Sequence, residues 1–180
     1  ALFRATISLV NEIGFAASSV SKIAGEANVS PSTLYVFFKN KEDLLVSTYV
    51  EIKMHLARAL FENFDDTLPI RDIMKNAWFS MFRHISGFPE EAAYMEQFGN
   101  SPYSALVDKQ MIEKEYAPFI AVMQKGIELK IIKDTEMHIL GAFIFDPLIR
   151  LANPRLCAEF EMDEQQLEQA FGMAWDAIKL

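Results

Sequence analysis

Apolar residues recur along most of this chain at spacings of three and four, the period of an α-helix with one buried face. The pattern is already helical in Leu2, Phe3, Ile7, Leu9, Val10 and Ile13. Val20, Ile23, Ala24 and Ala27 then fall at i, i+3, i+4 and i+7, and Ser18-Ser19 just before them supply oxygens for the free amides of a first turn. Asn28 breaks the stripe; asparagine tolerates the left-handed conformation that ends a helix. Ser30 is placed to cap the next segment, with Pro31 at the first helical position, where its missing N–H costs nothing. Leu34 and Phe38 face inward beside Val29, which leaves Ser32, Thr33, Tyr35 and Val36 outward. Asn40 opens a long helix with Asp43 completing an approximate capping box, and Leu44, Leu45, Tyr49, Ile52, Leu56, Leu60 and Phe64 carry it to about Asp65. Further helices are expected over Ile70–Ile85, then a shorter one to Phe98 after a break at Gly87-Phe88-Pro89, from about Tyr103 to Leu129, from an Asp134 cap to Leu151, and from an Asp163 cap to Leu180. Pro118 and Pro147 interrupt two of them and are expected to bend or divide them. No strand-like alternation of useful length, internal repeat or low-complexity run is present.

Two helices around a tight turn, the second short and polar on its free side, make a helix-turn-helix, a geometry that fits the DNA major groove. The residues Gly14-Phe15, Ser18-Ser19-Val20, Ile23-Ala24, Ala27-Asn28-Val29-Ser30, Thr33-Leu34-Tyr35, Phe38 and Lys41-Glu42-Asp43-Leu44 stand in an order and spacing that resembles the TetR family of bacterial transcriptional regulators. The likeness covers about a quarter of the chain. It departs from the family at three places: Asn28 and Ser32 stand where glycine is usual or common, and Val36-Phe37 is unusually apolar for an exposed edge. The resemblance implies an all-α protein with an N-terminal DNA-binding domain over residues 1–48. A C-terminal helical domain for effector binding and dimerisation would follow over residues 49–180, the boundary lying inside the helix begun at Asn40, a shared rigid rod. It also implies a regulator, a repressor by default, that binds a palindromic operator as a homodimer and is released by a small, mostly apolar effector.

Charge complicates this reading. The net charge is −8, whereas a nucleic-acid binder is often basic. Within residues 1–48, however, Arg4, Lys22, Lys39 and Lys41 balance Glu12, Glu26, Glu42 and Asp43, so the acid excess lies beyond. The abrupt helical start at Ala1 suggests that the natural chain has further residues before it, and a basic extension there would add the missing attraction to phosphate.

Phosphate contacts are expected from Ser19, Thr33, Tyr35 and Lys41, with Lys39 in support. Base-edge contacts are expected from Ser30, Pro31, Ser32 and Val36, the last against a thymine methyl. The plain alternatives are helix caps for the serines, a partly buried ring for Tyr35 and solvated cations for the lysines. For the effector, Trp78, Phe82, Phe98, Tyr103, Phe119 and Met123 are expected to line a cavity, with Glu96, Gln97 and Asp146 as polar anchors; aromatic and Met residues at helical spacing otherwise simply fill a core. A dimer surface is expected from Ile139, Leu140, Phe143, Ile144, Leu148 and Leu151 together with Leu167, Ala170, Phe171, Ala174, Trp175 and Ile178.

Other chemistry finds little support. His55, His84 and His138 are scattered, without a metal-binding spacing, so neither a metal nor a cofactor is expected. The single Cys157 has no evident His partner, forms no internal disulfide and fits a reducing cytoplasm as a buried or idle thiol. Acidic pairs such as Asp65-Asp66 and the run Glu159, Glu161, Asp163 read as helix-end and solvated charge. No apolar run reaches the eighteen or so residues of a membrane helix, so no membrane partner is expected. The chain is not expected to be an enzyme; the alternative to a DNA regulator is a helical protein-binding module without DNA function.

Overall fold

The computed structural model describes residues 1–153 and 162–180. Cys157, Pro154, Glu159 and Glu161 lie outside the described residues. The described chain is helical throughout: α1 Leu2–Ala17, α2 Val20–Glu26, α3 Pro31–Phe37, α4 Lys41–Phe61, α5 Ile70–Gly87, α6 Pro89–Gly99, a 3₁₀ turn at Pro102–Leu106, α7 Lys109–Glu128, α8 Met137–Ala152 and α9 Glu164–Ile178. It forms two compact units. The first joins Ala1–Met54 to Glu90–Lys109, and the second joins His55–Pro89 to Gln110–Leu180. One unit boundary therefore falls inside α4, between Met54 and His55. The return of residues 90–109 to the first unit is not visible in the pattern.

In the first unit, α1, α2, α3 and the start of α4 enclose Ala5, Ile23, Leu34 and Leu44, with Leu2, Phe3, Leu9, Val20, Ala27 and Phe38 around them. A second cluster joins Ile7, Val10, Leu45 and Ile52 to Tyr94 and Phe98 of α6. Tyr49 stacks on Phe98 at 4.4 Å, and the Phe15 ring meets Tyr94, Phe98 and Tyr103 at 5.4 to 6.1 Å. Polar contacts reinforce the same join. The Tyr94 hydroxyl donates to the Leu45 carbonyl at 2.9 Å, Asn11 donates to the Glu90 carbonyl, and Gln97 donates to the Asn11 side-chain oxygen.

In the second unit, α8 packs against both α5 and α9. Trp78 is fully buried and stacks near Phe82, while its indole N–H donates to the Ile144 carbonyl at 2.9 Å. Phe171 of α9 meets both Trp78 and Phe79 edge-on. Lys75 pairs with Glu168, and the Arg71 guanidinium lies over the Phe171 ring. Gly126 sits where α7 meets the segment after it; a β-carbon there would lie 2.6 Å from Ile132 Cδ1, so the close approach requires glycine's missing side chain.

Three expectations change in detail. Tyr103 does not begin a long helix: Pro102–Leu106 form a 3₁₀ turn and α7 starts only at Lys109. The turn lets Tyr103 reach the Phe15 ring. Asp134 does not cap α8, which starts at Met137. Residues 131–133 are held extended by a bridge in which Lys133 donates to the Ile178 carbonyl and Leu180 donates to that of Ile131. The stripes assigned to a partner subunit are also largely occupied within the unit. Leu140, Ile144 and Leu148 of α8, and Leu167, Phe171, Ala174, Trp175 and Ile178 of α9, are buried in its own core. α8 directs that face at α5 and α9, so the apolar side chains left outside are Ile139, Phe143 and Ile149 on α8 and Met173 on α9. Asp163, by contrast, caps α9 with a complete box through Gln166.

Candidate nucleic-acid interface

The helix-turn-helix is built by local hydrogen bonding that its sequence specifies. Ser19 caps α2 by accepting from the Lys22 amide at 3.3 Å. At the other end, Asn28 takes φ 56°, its amide donates to Gly25 and the Val29 amide donates to Ala24. This pair of bonds is a Schellman termination, which needs a left-handed residue at the Asn28 position. The chain then enters α3 directly. Ser30 caps it by accepting from the Thr33 amide at 3.2 Å, and Pro31 holds the first helical position. The Ser30 hydroxyl also lies 2.7 Å from that of Ser32 and 2.8 Å from that of Thr33, so three hydroxyls form one cluster at the head of α3.

Only Leu34 of α3 is fully buried. Tyr35 is 56% exposed, Val36 77% and Phe37 68%, while Pro31 and Ser32 are exposed and Thr33 is half-buried. The short helix thus presents a free face, and the expected base-reading positions Ser30, Pro31, Ser32 and Val36 share it with Tyr35. Phe37 extends this face beyond the residues chosen from sequence; the apolar Val36-Phe37 pair was its only signal.

The cations are arranged differently from a simple basic patch. α1 breaks at Gly14, which has φ 77°, a conformation glycine adopts without strain. The carbonyls that this break releases are taken up locally. Ser18 donates to Gly14 through its hydroxyl at 2.7 Å, Lys22 Nζ donates to Ala17 at 3.2 Å, and Lys41 Nζ donates to Phe15 at 2.6 Å. Lys41 is therefore half-buried with one donor committed, while Lys39 is exposed. Lys39 contributes its amide to the Asp43 carboxylate, and Asp43 in turn donates its amide to Asn40, so the two ends of the α3–α4 link brace each other.

The six residues expected around an effector divide between the units. Phe98 and Tyr103 belong to the first, packed on Phe15; Trp78, Phe82, Phe119 and Met123 belong to the second. Trp78, Phe98, Phe119 and Met123 are buried and Phe82 is half-buried. Of the polar anchors, Gln97 is engaged with Asn11, whereas Glu96 and Asp146 are exposed. The buried Tyr94 phenol has its pKa pushed well above the usual tyrosine value by desolvation, and Tyr49 beside it is raised for the same reason. Among the described residues, no helix is long and apolar enough to cross a membrane, and no group of three acidic, His or Cys side chains is placed to hold a metal.

Comparison with known proteins agrees with this geometry. Residues 2–48 match the family described as bacterial regulatory proteins, tetR family, and residues 69–179 match the tetracyclin repressor-like C-terminal domain. A TetR family transcription regulator of Marinobacter aquaeolei, solved by crystallography, is 30% identical with a TM-score of 0.89, over 99% of this chain and 93% of that one. An uncharacterized HTH-type transcriptional regulator of Haemophilus influenzae is 26% identical over 99% of this chain and 94% of its own length. The fatty acid metabolism regulator protein of Bacillus subtilis is 47% identical over 47 residues, 26% of this chain and 24% of that protein.

Proposed function

Since the chain belongs to the TetR family of bacterial transcriptional regulators, we propose that it is a repressor that binds a palindromic operator as a homodimer and leaves it when a small, mostly apolar effector binds. The observation that carries the DNA-binding part is the free face of α3, with Tyr35, Val36 and Phe37 exposed beyond a buried Leu34. Ser19, Thr33, Tyr35, Lys39 and Lys41 contact phosphate, and Ser30, Pro31, Ser32 and Val36 contact base edges. Two copies pair through the outer faces of α8 and α9, where Ile139, Phe143, Ile149 and Met173 remain uncovered. A two-fold pair suits half-sites one helical turn apart.

The effector acts on the second unit, around Trp78, Phe82, Phe119 and Met123. Its binding alters the spacing of the two α3 helices, and it does so only to the extent that its affinity differs between the two arrangements. The Bacillus subtilis regulator of fatty acid metabolism matches only over the helix-turn-helix, so its name adds nothing to the effector reading. The large apolar side chains of the second unit are what support an apolar ligand. The likeness to TetR-family regulators supports a regulator rather than an enzyme, working in the cytoplasm.

Selection of bound duplexes from a random DNA pool, with sedimentation of the protein alone and with the selected site, tests this reading. A two-fold symmetric consensus bound by a dimer is the expected result. Failure to enrich any duplex, together with a strictly monomeric chain, overturns it.

A further inference from the structure

We propose that α3 reads its operator chiefly through thymine C5-methyl groups, with Val36 and Phe37 as the reading side chains. The inference rests on the DNA-binding role above and specifies what that role recognises. Base pairs are most often distinguished in the major groove by bidentate hydrogen bonds from Arg, Lys, Asn or Gln, or by acidic groups accepting from cytosine. Pro31–Phe37 contains none of these residue types. Its polar groups are the hydroxyls of Ser32, Thr33 and Tyr35.

Two of those hydroxyls are already engaged. Ser30, Ser32 and Thr33 share two hydroxyl–hydroxyl hydrogen bonds at 2.7 and 2.8 Å. Each hydroxyl has one proton to donate. Two of the three protons are used inside the cluster, so one donor remains for a base or phosphate. Hydroxyls also pair with more than one base, so this donor discriminates weakly.

The C-terminal half of α3 offers something else. Val36 and Phe37 are 77% and 68% exposed, on a helix held rigidly by its Ser30 cap and by Leu34 in the core. Val36 lies one turn beyond Ser32, and Phe37 one turn beyond Thr33, so the two apolar groups continue the rows that begin with the hydroxyls. Among the four bases only thymine presents a methyl group in the major groove. Two exposed apolar side chains beside a hydroxyl cluster with one spare donor match runs of T·A pairs.

The test uses the full chain and the operator obtained by selection. Each thymine is replaced in turn by deoxyuridine, symmetrically in both half-sites, which removes the methyl and keeps every hydrogen-bonding group. One methyl is worth about a fourfold change in affinity, hence about fifteenfold for a symmetric pair. At least one thymine per half-site is expected to show that loss by fluorescence anisotropy. At the same position cytosine should bind poorly and 5-methylcytosine should recover part of the deficit. In Val36→Ala and Phe37→Ala chains, both of which alter only exposed side chains, the deoxyuridine penalty should shrink toward unity. Specific binding to the thymine operator with less than a twofold deoxyuridine effect at every position overturns methyl reading and leaves the regulator intact. A pool that yields no preferred duplex overturns the regulator itself, and with it the reading.

Discussion

Replacing Phe98 by alanine separates the two units energetically. Phe98 is fully enclosed, stacked on Tyr49 at 4.4 Å and near the rings of Tyr94 and Phe15 at 6.0 and 6.1 Å. A buried Phe→Ala change costs ~3–5 kcal/mol, combining lost transfer energy with the cavity left behind. Ring pairs add ~0.5–1.5 kcal/mol beyond area, which places Phe98 near ~4 kcal/mol. Against a domain stability of ~5–15 kcal/mol that is a large share. With m of about 2 kcal/mol/M in urea, the midpoint should fall by about 2 M. The assay has a built-in control, because both tryptophans of the chain, Trp78 and Trp175, lie in the second unit. Far-UV circular dichroism follows all helices, while tryptophan emission follows the second unit alone. The variant should lose part of its helical signal early, with emission persisting to higher urea, and DNA affinity should vanish with the first loss. A destabilisation below about 1 kcal/mol, or emission lost before helical signal, refutes the placement of α6 in the core of the first unit.

Four further outcomes are expected. Tyr35→Ala, an exposed truncation, should weaken binding to specific and random DNA alike with no change in unfolding midpoint, whereas Ser32 substitutions should shift sequence preference; equal losses for Ser32 variants on both DNAs would contradict this. The affinity should depend on salt with a slope near −4, from about 0.9 per phosphate contact through Lys39 and Lys41 of each protomer; a slope shallower than about −1 would show that these lysines neutralise no phosphate. Lys130 holds φ 56° at the end of α7, where a side chain is strained, so Lys130→Gly should raise stability by about 1 kcal/mol, read as an increase in melting temperature, and a decrease would count against it. Burial raises the pKa of Tyr94 above the usual 10, so the unfolded chain ionises first. The stability from keeping this phenol neutral is complete below pH 10 and is lost as the pH rises beyond it. Tyr94→Phe should flatten that alkaline decline in a pH series of urea titrations, and an unchanged slope would refute the assignment.

The elements legible in the sequence are those whose physics is local. Ser19, Ser30 and Asp163 each cap the helix that follows them, Asn28 takes the left-handed turn, and Asn40 with Asp43 brace the head of α4, because caps and turns close over three or four residues. The same locality made the free face of α3 readable, since Leu34 is the one position in that short helix pointing into the core.

What needed tertiary structure were the choices among equivalent apolar stripes. Phe98 and Tyr103 satisfy a cavity lining as well as they satisfy a core, and only the fold shows them against Phe15, eighty or more residues earlier. Trp175 and Phe171 would suit a partner subunit, yet α5 and α8 cover them first. Lys41 suits a phosphate, and only the fold shows that one of its ammonium donors is spent on the Phe15 carbonyl beside the break at Gly14. Helical periodicity states that a face will be buried, since it costs free energy to leave it in water. It does not state against what, because the hydrophobic effect is non-directional and the partner is chosen by the path of the whole chain.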